Sequence, residues 1–148
     1  MAQIRPFRAF RPTPELADRV ASPPYDVLNS AEARVMAEGN PNTYLHVVKP
    51  EIDLPEGTDL YSDEVYARGA SNLQNFIDTG VLVRDSAPCL YVYQQRMGDH
   101  VQVGIVAGCS VAEYDAGTIK KHEKTRQNKE DDRTRHMLAL RAQTGVVF

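Results

Sequence analysis

Apolar positions along the chain repeat with two periods. Val65, Gly69, Leu73, Phe76 and Ile77 recur at three- and four-residue intervals, which predicts an amphipathic helix over residues 61–79. Ser62 is placed to cap it and Gly80 to end it. Asn29 followed by Glu32 predicts a capping box that opens a helix over residues 31–38, stopped by Gly39. Residues 43–48 alternate and are rich in β-formers, which predicts a strand. Residues 90–95 and 101–106 predict two further strands joined by the loop Arg96-Met97-Gly98-Asp99-His100, with Leu90, Val92, Val103 and Ile105 facing inward.

Elsewhere the pattern is broken. Pro6, Pro12, Pro14, Pro23 and Pro24 forbid a long helix or a central strand at the start, leaving room for a short edge strand within residues 4–10 and one helical turn at residues 16–20. Residues 111–117 read as a bend. Residues 124–143 read as a long charged helix, apolar only near Met137, Leu138 and Leu140. The chain shows no internal repeat. The fold class expected is α+β: a small mixed or antiparallel sheet flanked by helices.

Composition narrows this picture. The chain has 148 residues, 42% hydrophobic and 25% charged, ordinary values for a folded domain. No apolar run approaches the roughly 18 residues of a membrane helix, and the first residues carry no signal region. With two cysteines, Cys89 and Cys109, a disulfide scaffold is excluded; both read as small buried core residues in a reducing, cytoplasmic setting. The net charge of −3 argues against a nucleic-acid partner held by bulk electrostatics. Yet residues 118–141 hold eight Lys or Arg against four acids, a basic quarter on an acidic body.

Two segments carry candidate chemistry. In Ala21-Ser22-Pro23-Pro24-Tyr25-Asp26-Val27 the prolines fix the backbone, so Tyr25 and Asp26 form a rigid donor and acceptor for a substrate amine, a ribose hydroxyl or a metal-bound water. The plain alternative is that Asp26 caps nearby amides and Tyr25 packs on the core. The second segment places His122, Glu123, Thr125, Lys129 and Arg133 at a loop-to-helix junction. Lys129 and Arg133, four apart, share a helix face suited to phosphate or carboxylate, and Glu123 beside them suits a general base. The plain alternative is ion pairing along an exposed helix. His46 reads as structural, and His100, His122 and His136 lack metal-ligand spacing, so no metal site is expected.

These segments carry a family resemblance. Ile4-Arg5-Pro6-Phe7-Arg8-Ala9, Val20-Ala21-Ser22-Pro23-Pro24-Tyr25-Asp26-Val27, Asn40-Pro41 with Leu45-His46-Val47, Pro50-Glu51-Ile52-Asp53, Leu90-Tyr91-Val92-Tyr93, and His122-Glu123-Lys124-Thr125 with Lys129, Asp132 and Arg133 together resemble the N-terminal part of the family called domain of unknown function 1015. The resemblance implies a longer protein with an Asp-Gly-His-His-Arg motif beyond Phe148, and the apolar Val146-Val147-Phe148 end reads as a strand cut partway. That motif is similar to one in ParB/sulfiredoxin-like proteins, including ADP-dependent free-serine kinases, in which a glutamate before a charged helix acts as base toward the serine hydroxyl.

The resemblance implies an organisation and a function. Residues 1–112 would form an N-terminal α+β domain, and residues 113–148 the start of an incomplete ParB-like domain. The function implied is nucleotide-dependent phosphoryl transfer, from ADP or ATP with Mg²⁺, to a small hydroxyl substrate such as a free amino acid. Glu123 would be the base with His122 beside it, and Lys129 and Arg133 the phosphate contacts, joined by Thr125, Tyr25 and Asp26 from the residue-level reading. The fragment alone would be inactive. The alternative is a non-catalytic nucleotide- or nucleic-acid-binding regulatory module. The expected partners are the small-molecule substrate, the missing C-terminal half of the protein and a second copy in a homodimer, with no membrane.

Overall fold

Asn29 takes the position its sequence context predicts. Its side chain accepts the Glu32 N–H at 2.9 Å while the Glu32 carboxylate accepts the Asn29 N–H at 2.8 Å, closing a capping box. Helix α2 (Ser30–Ala37) follows, and Gly39 at φ +71° turns the chain out of it. The computed structural model describes residues 2–120 and 124–145. It divides into two compact units, one of Met1–Arg11 and Arg84–Thr125, the other of Pro12–Val83 and Arg126–Phe148. The architecture is α+β, helices with small antiparallel strand pairs.

The second unit is helical. It begins with the single turn α1 (Ala17–Val20), followed by α2 and α3 (Leu45–Val48). The third helix replaces the strand expected over residues 43–48. In a strand Leu45 and Val47 would share one face, whereas in a helix they lie on opposite sides. Each is fully buried, Leu45 among Ala33, Ala37 and Ile52, and Val47 among Val20, Leu73, Phe76 and Leu140. Having two separate cores to fill decides the conformation over β-propensity.

After α3 comes a 3₁₀ turn (Pro50–Asp53), whose carbonyls Arg34 gathers. Its guanidinium donates to the Glu51 and Leu54 oxygens, both at 2.7 Å, and to that of Ile52. Helix α4 (Asp63–Asp78) buries Val65, Tyr66, Gly69, Leu73 and Phe76, close to the predicted stripe, and Ile77 is half-buried beside the core. Ser62 sits at its N-cap without making a cap bond, and its buried hydroxyl has no hydrogen-bond partner among the described residues, contrary to the expected role.

Helix α6 (Gln127–Leu140) is shorter than the helix expected over residues 124–143, and Arg141 leaves it in the left-handed region at φ +51°. It packs on α4. Its buried stripe is Asp132, His136 and Leu140, four apart, while Leu138 is exposed. The helix turns a largely polar face inward because each of those polar groups has a bonding partner there.

The first unit is built on strands. β1 (Ile4–Arg5) pairs antiparallel with β6 (Gly108–Cys109), and Phe7 bridges to Cys89. The chain crosses between units within β2 (Phe10–Pro12) and β3 (Leu82–Arg84). β4 (Tyr91–Met97) and β5 (His100–Val106) form a hairpin in full register. Its turn is only Gly98-Asp99, not the five-residue loop expected; Gly98 at φ +59° supplies the first position of a tight hairpin turn. Leu90, Val92, Val103 and Ile105 are exposed rather than inward, because no element among the described residues covers them. Cys89 and Cys109 are likewise exposed, not core residues, since each lies in a thin two-stranded pairing. Residues 111–115 form a short helix α5 (Val111–Asp115) in place of the bend, capped by Ser110, whose hydroxyl accepts the Glu113 N–H. Among the described residues no helix is long and apolar enough to cross a membrane.

Candidate functional site

Three residues singled out in the sequence meet in the second unit. The Arg133 guanidinium lies 4.1 Å from the centre of the Tyr25 ring, and Lys129 Nζ lies 5.9 Å from it. Both cations project from one face of α6, four residues apart, as helical geometry requires. The Pro23-Pro24 pair fixes the turn that presents Tyr25. Burial raises the Tyr25 hydroxyl pKa, and Arg133 opposes that shift.

Arg133 is held from below by Asp132. Its Nε and Nη2 both donate to Asp132 Oδ2, at 2.9 and 2.7 Å. The other carboxylate oxygen accepts the Tyr66 hydroxyl at 2.8 Å. Burial and that bond push Tyr66 up to about 12, so it stays a donor throughout the working pH range. Arg135 covers the Tyr66 ring at 4.6 Å and pairs with Asp63. Tyr66 and Asp132 are missed by sequence reasoning as site residues. The signal for Asp132 was its place beside Arg133; Tyr66 carried none, because it sits on the core stripe of α4.

Two donors are left over. Arg133 Nη1 carries no hydrogen bond among the described residues, and Lys129 enters no salt bridge among them. Lys129 occupies the first turn of α6, where the helix dipole disfavours a cation. A cation kept at the wrong end of a helix is a local conflict that a bound anion relieves.

The remaining predicted residues fall elsewhere. Asp26 follows Tyr25 in the same turn and is exposed, carries no hydrogen bond among the described residues, and its charge adds to the rise of the Tyr25 pKa. Thr125 is exposed in the extended stretch ahead of α6 and is assigned to the first unit. His122 and Glu123 lie outside the described residues. Among the described residues no group of three or more His, Cys, Asp or Glu gathers around a point.

A second polar cluster flanks a shallow cleft of about 370 Å³ lined by Arg34, Val35, Glu38, His46, Ile52 and Asp53. His46 Nδ1 bonds Asp53 Oδ1 at 2.8 Å, and its Nε2 faces the Asn40 carbonyl at 3.4 Å. Asn72 donates to Asp53 Oδ2 and to the His46 carbonyl, both at 2.7 Å. With Arg34 committed to three carbonyls, the cleft's cation and its histidine are already engaged. The cluster ties α3, the 3₁₀ turn and α4 together, in line with the structural reading of His46.

Its titration has a defined sign. The Asp53 bond raises His46 above its ordinary 6.5, so its contribution to stability is complete below that value and is lost as pH rises through the raised one. For Asp53, burial acts upward but the bonds to His46 and Asn72 prevail and lower it below 3.8. Its contribution is complete above that value and is lost as pH falls through the lowered one. His136 behaves oppositely to His46. Burial lowers it below 6.5, and its Nε2–H donates to the Val47 carbonyl at 2.9 Å, so its contribution is complete above 6.5 and is lost as pH falls. A proton NMR titration, with peaks assigned by His46→Gln and His136→Gln, is expected to show His46 changing above pH 6.5 and His136 below it. A reversed order would refute both assignments.

The first unit holds its own bonded cluster. Arg11 grips the Asp85 carboxylate through Nε and Nη2, at 3.1 and 2.7 Å, and the Tyr91 hydroxyl donates to Asp85 at 2.6 Å while accepting the Ala9 N–H at 2.8 Å. The Arg11 bond holds the Asp85 carboxyl below its ordinary range. This cluster fixes the N-terminal segment within its unit.

A family described as Protein of unknown function (DUF1015) matches residues 4–148. No curated protein and no solved structure matches the chain.

Proposed function

The chain belongs to the DUF1015 family, and from that premise we propose that its Tyr25–Lys129–Arg133 cluster binds the phosphate of a small molecule, in a nucleotide-dependent phosphotransferase acting on a small hydroxyl substrate such as a free amino acid. One observation carries the reading. Two cations with unspent donors converge on one aromatic ring brought from more than a hundred residues away.

The chemistry fits the parts. Phosphoryl transfer is mostly positioning and neutralisation of charge. Arg133, held by Asp132 through Nε and Nη2, presents its remaining Nη1 in a fixed position, and Lys129 adds a mobile point charge one turn away. In this reading Mg²⁺ is carried on the phosphates of ADP or ATP rather than in a protein cage, and Glu123 is the base toward the hydroxyl, as the ParB-like resemblance implies.

Thermal unfolding with ADP, ATP or pyrophosphate tests the binding step. At a hundredfold excess over Kd a ligand stabilises the fold by about 2.7 kcal/mol, on the order of 10 °C for a unit of this size. Lys129→Glu separates binding from stability. It exchanges an unfavourable charge for a favourable one at the helix start, so the unliganded protein is expected to melt at an equal or slightly higher temperature, while the ligand shift disappears. A full ligand shift in Lys129→Glu, or none in the parent chain, would end the reading. For catalysis, Glu123→Gln in the longer protein that the resemblance implies is expected to abolish phosphoryl transfer and keep the ligand shift; binding without any transfer by that longer protein favours the regulatory module instead.

A further inference from the structure

The β4–β5 hairpin presents an aliphatic face that nothing in the described structure covers. Val92 lies opposite Ile105, Gln94 opposite Val103 and Arg96 opposite Val101, so these six side chains share one side of the ladder. Val92, Val101, Val103 and Ile105 are 77%, 47%, 61% and 68% exposed. They are contiguous and β-branched, and within this face the single charge is Arg96, toward the turn. A two-stranded hairpin is marginal in water and gains independent stability only when an apolar face is packed.

We propose that this face is a homodimer interface, in which the hairpins of two copies stack face to face as a four-strand sandwich. The area argues for a second copy. The four aliphatic side chains expose on the order of 350 Å² per copy, hence about 700 Å² for two copies before the flanking Gln94 and Arg96 stems are counted. With them the contact reaches the roughly 1,000 Å² at which specific interfaces begin. Charge argues for the same occupant in an antiparallel stacking. A two-fold axis near the middle of the hairpin lays each Arg96 over the aliphatic base of the other copy, where its stem packs and its charge reaches solvent, and keeps the two arginines apart. Sheets packed this way sit about 10 Å apart with their side chains interleaved.

Sedimentation velocity on the 148-residue chain, from about 1 to 500 μM, tests the proposal. The parent is expected to pass from monomer to dimer across that range. Val103→Lys puts a charge at the centre of the dry layer and is expected to weaken association at least about 30-fold. Because Val103 is largely exposed in the single chain, the melting temperature measured at monomeric concentration should hold. If that variant fails to fold, Val92→Lys, on the other strand and more exposed, is read in its place. Met97→Lys, on the opposite face and 80% exposed, is expected to leave the dimer intact. A parent that stays monomeric at 500 μM, a dimer that survives the face substitutions, or one lost equally in Met97→Lys would each overturn the proposal.

Discussion

Gly69→Val is expected to lower the stability of the helical unit by about 3 kcal/mol, a fall in melting temperature on the order of 12–20 °C. Gly69 lies at the crossing of α4 with the elements beneath it. A Cβ there would stand 3.2 Å from Pro50 Cγ, 3.3 Å from the Val47 carbonyl oxygen and 3.4 Å from Leu140 Cδ1. Two of these neighbours are a proline ring and a backbone oxygen, which yield little. Gly69→Ala is the graded control: the helix gains about 1 kcal/mol of propensity over glycine, set against the same tight contacts, so its melting temperature should lie between parent and valine variant. Circular dichroism melts decide it; a valine variant melting within about 2 °C of the parent would show that the crossing is looser than drawn.

Leu45→Ala is expected to cost about 2–5 kcal/mol, because Leu45 is fully buried and its removal leaves a cavity among Ala33, Ala37 and Ile52. Val47→Ala opens a different cavity, among Val20, Leu73, Phe76 and Leu140. Were residues 43–48 a strand, the two side chains would share one face and one cavity. On α3 they point into separate cores, so their effects are expected to add to within about 0.5 kcal/mol in the double variant. A coupling well above that, measured by urea unfolding, would favour the strand.

What was legible depended on range. The α2 capping box and the α4 stripe rest on neighbours within one or two turns, and both stand where the sequence put them. The hairpin strands were legible as strands, but not which of their faces was covered, because covering is supplied by other elements. Residues 43–48 mislead for a related reason: alternation and β-propensity predict a strand, whereas the chain uses Leu45 and Val47 to fill two cores. In α6 the sequence shows its apolar cluster near Met137 and Leu138, while the buried stripe is Asp132, His136 and Leu140. A polar residue looks like a surface residue until its partner, here Tyr66 or the Val47 carbonyl, is brought to it from another helix.

The sequence by itself determined the α+β class, the helix signals around residues 29–39 and 62–80, and a basic C-terminal quarter in which Lys129 and Arg133 share a helix face. Those follow from backbone propensity, caps and helical period, which act between residues a few positions apart. Only the tertiary structure decided that Tyr25 is the surface these cations meet, that Asp132 and Tyr66 brace Arg133, that Leu45 and Val47 serve different cores, and that the hairpin shows its aliphatic face to solvent. Each of those depends on contacts between residues far apart in the chain, and their free energy comes from excluding water and satisfying buried polar groups, which no local window of sequence contains.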